Sequence, residues 1–131
     1  EAYTRYQQAA QDTLYPERSR IFENIGMTAM ALQRRDEAQT YFERSLRLNS
    51  RQPRAQLELA VMAFEDKNYV VSKRYYDAFS SLSEQTPRSL LLGARLATIF
   101  EDRDRAASLG LQLRRLYPGT PEYQQYLSEQ R

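Results

Sequence analysis

Few side chains in this chain could carry chemistry. Its 131 residues include no histidine and no cysteine. That removes Ser–His and Cys–His nucleophile pairs, histidine- and thiolate-ligated metals, and disulfides together. The densest acidic group is Glu101, Asp102 and Asp104. Such carboxylates can ligate a cation through oxygen, but the run lacks the spacing and the glycine of a calcium loop, so a solvated turn is expected. No catalytic residue, cofactor or metal site is expected, and the chain reads as non-enzymatic.

The remaining candidates are arginines and apolar residues at a fixed step. Arg20, Arg54 and Arg88 stand 34 residues apart, as do Leu14, Leu48, Leu82 and Leu116, and again Pro53, Pro87 and Pro121. A period of that size marks stacked helical repeats. With Pro53 and Pro87 as position 1, position 8 holds Gly26, Ala60 and Ala94, and position 20 holds Ala38, Ser72 and Ala106. Position 24 holds Phe42, Tyr76 and Gly110, and position 32 holds Pro16 and Pro118. Small residues at 8 and 20, a bulky residue near 24 and a helix stop near 32 are the tetratricopeptide spacing.

The expected fold is therefore all-α: a tetratricopeptide-repeat (TPR) right-handed superhelix of antiparallel helix pairs. First helices are expected at about 19–33, 53–66 and 87–101, and second helices at about 36–49, 69–84 and 104–117. Proline at the first helical position suits 53 and 87, where an N–H would be unpaired anyway. The organisation expected is one repeat domain: 1–15 as the second helix of a truncated preceding repeat, units at 16–52, 53–86 and 87–120, and a capping helix over 121–131. Ala2, Tyr6, Ala9, Ala10 and Leu14 would give the first segment an apolar face. An end repeat with an apolar outer face is expected to fray or self-associate, so a fragment of a longer protein is anticipated.

Repeats of this kind bind through the surface made by their first helices. The partner-facing candidates are Arg20, Met27, Met30, Arg54, Leu57, Val61, Phe64, Arg88, Leu91 and Arg95, with Leu92 beside them. An arginine in the first turn opposes the helix macrodipole, so propensity does not explain three in register. They read either as a ladder for acidic or carbonyl groups of a partner or as surface arginines paired to nearby carboxylates. The apolar members would suit an amphipathic helix or apolar strand, unless they fill core between repeats. Tyr41, Tyr75 and Tyr76 read as packing residues with hydroxyls reaching water.

Charge narrows the partner. Nineteen basic and 17 acidic side chains leave a net +2, and arginines alternate with acids, as in Arg34-Arg35-Asp36-Glu37. That pattern is a solvated helix face rather than a nucleic-acid stripe. The sequence holds no run of the roughly 18 apolar residues a membrane span requires. A clamp for acidic chaperone tails is disfavoured as well: the places where such repeats resemble one another in carrying Lys, Asn or Arg hold Glu23, Met27, Glu58, Arg88 and Leu92, and Arg88 alone has a suitable charge.

Longer runs carry a more specific likeness. Asp12-Thr-Leu-Tyr-Pro-Glu-Arg-Ser-Arg20, Tyr41-Phe-Glu-Arg-Ser-Leu-Arg-Leu-Asn49, Arg88-Ser-Leu-Leu-Leu-Gly-Ala-Arg-Leu-Ala97, Phe100-Glu-Asp-Arg-Asp-Arg-Ala-Ala107 and Leu111-Gln-Leu-Arg-Arg-Leu-Tyr-Pro-Gly119 resemble the C-terminal half of the PilF/PilW family. These are type IV pilus biogenesis and stability lipoproteins of Gram-negative bacteria, also called pilotins. The resemblance implies a lipoprotein on the periplasmic face of the outer membrane, helping the pilus secretin to localise and assemble and so supporting pilus formation and twitching motility. It implies a protein partner, the secretin, and membrane attachment through an N-terminal lipid anchor that this chain does not contain. The family's lipid-bearing cysteine and early repeats have no counterpart here, so a second expectation stands beside the first: these repeats are a structural scaffold and cap while recognition lies in the missing N-terminal part.

Overall fold

The structure, a computed structural model, describes the backbone of residues 2–130 and the side chains from Glu17 to Gln130. Seven α-helices follow in order: α1 (Ala2–Ala31), α2 (Arg35–Leu48), α3 (Pro53–Glu65), α4 (Tyr69–Leu82), α5 (Pro87–Ile99), α6 (Arg103–Leu116) and α7 (Pro121–Glu129). There is no strand among the described residues. Helices pack chiefly as the pairs α1/α2, α3/α4 and α5/α6, and α7 lies against α5 and α6. This is the all-α TPR fold.

Local chemistry explains where the helices start and stop. Pro53, Pro87 and Pro121 begin α3, α5 and α7, where their missing N–H costs nothing. Thr86 closes a capping box with Ser89 on α5, Asp102 accepts from Arg105 N–H at 3.1 Å to cap α6, and Thr120 accepts from Tyr123 N–H to cap α7. Each first helix ends in the same left-handed turn: Gln33, Lys67 and Glu101 have φ of 59°, 63° and 60°. In each turn the next N–H reaches back over the helix end, Arg34 to Ala29, Asn68 to Ala63 and Asp102 to Ala97, all at 2.8 Å. That is a Schellman closure, and it reverses the chain into the second helix.

The core is shared between pairs. Ala29, Ala38, Phe42, Ala55, Leu59 and Met62 draw on α1, α2 and α3. Leu57, Ala60, Tyr76, Phe79, Leu92 and Leu96 join α3, α4 and α5. Leu90, Leu91, Ala94, Leu109 and Leu113 lie between α5 and α6, with Tyr123 and Tyr126 of α7 against them. The small positions are explained by their neighbours. A Cβ at Gly26 would stand 2.7 Å from the Phe42 ring, and one at Gly110 would strike Tyr126. Gly110 occupies the bulky position of its unit, and α7 fills the gap with Tyr126.

One expectation is corrected. A break near Tyr15-Pro16, separating a truncated helix from a first helix starting near 19, is absent; α1 runs unbroken through Pro16. Proline there forfeits one ladder hydrogen bond without ending the helix. The apolar face expected on Ala2, Tyr6, Ala9, Ala10 and Leu14 lies outside the residues whose side chains are described.

Candidate functional site

The C-terminal ends of α3 and α5, together with α7, enclose a cleft of about 550 Å³. One wall is Phe64 at the end of α3, set edge-to-face against Tyr69 of α4 with centroids 5.2 Å apart. Ala94, Thr98 and Ile99 of α5 form the floor, and Tyr126 of α7 the far wall. Ile99 is 39% exposed, a large apolar side chain left open at the mouth. Arg95 crosses the rim: its guanidinium sits 5.9 Å from the Phe64 ring centroid, and its Nε donates to both Glu129 carboxylate oxygens at 2.8 and 3.1 Å. That pair ties α7 to α5 and neutralises both charges. A second cleft of similar size, lined by Met30, Gln33, Arg35, Glu65 and Asp66, adjoins the first through Glu65.

The predicted candidates separate into three groups. Phe64 and Arg95 line the first cleft and Met30 the second. Leu57 and Leu91 are corrected to core residues, each 8% exposed, and Leu92 is buried as well, at 4%. Their positions face the neighbouring first helix in the stack, so they bind repeat to repeat. Met27 and Val61 are half-buried against the same clusters.

The arginine row divides: Arg88 is committed to a buried carboxylate, whereas Arg54 and Arg20 stay largely exposed. Arg88 makes a two-pronged ion pair with Glu58, one contact at 3.2 Å, and that hydrogen bond, with the carboxylate's charge, raises the guanidinium pKa further against the effect of burial. Glu58 is itself buried on α3. Arg54 stands 4.0 Å from Glu23 of α1, while the other oxygen of Glu23 accepts the Ala55 N–H at 3.2 Å. Glu23 thus caps α3 from α1, while the N-cap residue Gln52 donates its side-chain amide to Ser45 and makes no cap bond of its own. Arg20 is exposed, with no ion pair among the described residues. Arg88 therefore spends its charge inside the array, contrary to a three-rung ladder for a partner.

Sequence reasoning missed Tyr69, Lys67, Tyr126 and Glu129. The signal for the last two was available: Pro121 continues the 34-residue step, so α7 is a fourth first helix and Glu129 occupies the position of Val61 and Arg95. Asp102 of the acidic run is spent on its cap, and among the described residues no His, Cys, Asp or Glu side chains gather closely enough to hold a metal ion. No described helix is long and apolar enough to cross a membrane.

Comparison with known proteins adds identity to this geometry. The chain is 54% identical over 129 residues to the type IV pilus assembly protein PilF of Pseudomonas aeruginosa strain PAO1, across 98% of its own length. The chain is a homologue of PilF. It spans 51% of that relative. The solved structure of Pseudomonas aeruginosa PilF superposes with a TM-score of 0.85, covering 98% of this chain and 58% of PilF. PilW, described as a widely conserved type IV pilus biogenesis factor, superposes at 0.67 with 24% identity, over 93% of this chain and 56% of PilW. The first TPR domain of Spaghetti (RPAP3), solved with an HSP90 peptide, superposes at 0.70 with 13% identity, over 86% of this chain and 90% of that domain. The last two likenesses speak to the fold alone. No protein-family model matches the chain.

Proposed function

We propose that this PilF homologue is a non-catalytic protein-interaction module of type IV pilus biogenesis, acting as part of a pilotin that helps the pilus secretin reach and assemble in the outer membrane. The observation that carries the reading is the 54% identity with PilF across 98% of the chain. In this reading the intact protein sits on the periplasmic face of the outer membrane through an N-terminal lipid anchor, and its loss impairs pilus formation and twitching motility. The working surface is the cleft of Phe64, Ile99 and Tyr126. It supplies what an extended protein segment needs: an apolar floor that is partly open, aromatic walls and a polar rim held in place by Arg95 and Glu129.

A second reading is favoured by the inward use of Leu57, Leu91 and Arg88: these repeats are scaffold, and recognition lies in the part of PilF that this chain does not span. Titration calorimetry against the purified secretin of the same pilus system separates the two. Binding by the chain, abolished by Ile99→Glu or Phe64→Glu with helical circular dichroism unchanged, is expected. Binding only by a protein spanning the full length of PilF would move the site out of these repeats.

A further inference from the structure

The ion pairs between successive first helices balance in one place and leave an excess of positive charge in another. Between α3 and α5, Arg88 clasps Glu58, and the connecting segment Ser83-Glu84-Gln85-Thr86 carries an acid and no cation. The equivalent place between α1 and α3 is a cleft of about 320 Å³ in which three guanidiniums, Arg20, Arg51 and Arg54, meet the single carboxylate of Glu23. They come from three elements: Arg20 from α1, Arg51 from the α2–α3 loop, and Arg54 from the first turn of α3.

Glu23 cannot neutralise them. It is 7% exposed, one of its oxygens is occupied by the Ala55 N–H, and the other is 4.0 Å from Arg54. Arg20 and Arg51 have no ion pair among the described residues, although the Arg51 backbone N–H is fixed on Asn49 Oδ1 at 3.0 Å. The cleft therefore holds a local excess of two positive charges, equal to the formal net charge of the whole chain. The planar forks of arginine suit carboxylates, which they engage through paired hydrogen bonds.

We propose that the Arg20–Arg51–Arg54 cleft is an anion site that receives an acidic segment of a partner protein, two or more Asp or Glu side chains in succession. It is separate from the apolar cleft, which lies at the opposite end of α3, and it stands whether or not that cleft binds a secretin. Glu23 is a positioning residue: it fixes the start of α3, and hence Arg54, rather than touching the ligand.

The test uses the full chain and a capped tetraglutamate peptide, titrated calorimetrically at about 20 mM salt, where exposed charges are least screened. Saturable binding is expected, weakened about tenfold or more by the Arg20→Ala/Arg51→Ala double variant and by raising salt to about 0.15 M. The control, Arg114→Ala/Arg115→Ala, removes equal charge from the last turn of α6 and should leave affinity within about twofold. Equal loss in both double variants would mean that net charge alone attracts the peptide, and the site falls. It falls too if tetraglutamate does not bind. Binding to vesicles containing anionic lipid, without binding to the peptide, would assign the cleft to a headgroup and overturn the protein-segment proposal.

Discussion

The Glu58–Arg88 pair is the sharpest quantitative test of the claim that the arginines hold repeats to one another. The carboxylate side chain is 8% exposed and the guanidinium 44%, so the pair sits between two known regimes. Exposed pairs contribute about 0.2–1 kcal/mol; removing one partner of a fully buried pair costs about 3–5 kcal/mol. Arg88→Met keeps the aliphatic stem but strands a buried carboxylate, and we expect it to destabilise by about 2 kcal/mol. Glu58→Gln keeps the shape and one acceptor, and should cost about 1 kcal/mol. In the double variant the neutral amide no longer needs a cation, so the total should reach about 2 kcal/mol rather than the sum of about 3, a coupling of about 1 kcal/mol. For a chain of this size, 2 kcal/mol lowers Tm by roughly 6–10 °C. Urea unfolding of the four proteins, followed by circular dichroism, closes the cycle. Single costs that add within about 0.3 kcal/mol would show that the two residues do not act together, and the account of the row as a link between repeats would be wrong.

Three further outcomes are expected. Gln33→Gly and Glu101→Gly, at left-handed turns with φ of 59° and 60°, should together raise stability by about 1–2 kcal/mol; an unchanged or lower thermal midpoint would refute the strain assigned to those turns. Gly93→Ala, whose methyl would strike the buried Tyr76 hydroxyl and stand 2.9 Å from Leu109 Cδ1, should cost about 1–3 kcal/mol, and a urea midpoint within error of the parent would show that this contact yields freely. Burial raises the Tyr76 pKa above the ordinary tyrosine value of about 10, opposed by hydrogen bonding to Ser80 and by Arg105. The folded state thus holds that proton more tightly than the unfolded state, giving stability that is complete below pH 10 and lost as pH rises through the folded value. Tyr76→Phe should flatten the loss as pH rises above about 10; an alkaline profile parallel to the parent's would discount it.

Much of the fold was legible because a repeated sequence records each contact several times. Ala29, Ala63 and Ala97 recur at one position and are all buried, and Pro53, Pro87 and Pro121 each open a helix. Where the pattern appeared once, it misled. Pro16 looked like the stop at position 32, yet α1 continues through it. The site was harder to read because position in a repeat fixes direction but not depth. Leu57 and Phe64 both lie on first-helix positions that can face a partner, but Leu57 is covered by α4 and α5 whereas Phe64 stands at the open end. The arginine row showed its spacing in the sequence but not its acceptors, because Glu23 and Glu58 sit at different positions in their units and share no single period.

That offset gives the pairs a further consequence. Glu23 faces Arg54, Glu58 faces Arg88, and the next place in the series holds Leu91 and Leu92 with Glu122 opening α7. Each junction therefore carries its own complementary signature, and the units are not interchangeable parts. Transposing the second and third would bring leucines beneath a first-turn arginine and leave a carboxylate beneath an acidic one. A chain built from near-identical hairpins risks docking them out of order or swapping them between molecules, and here charge placement writes the sequence of assembly into the joints.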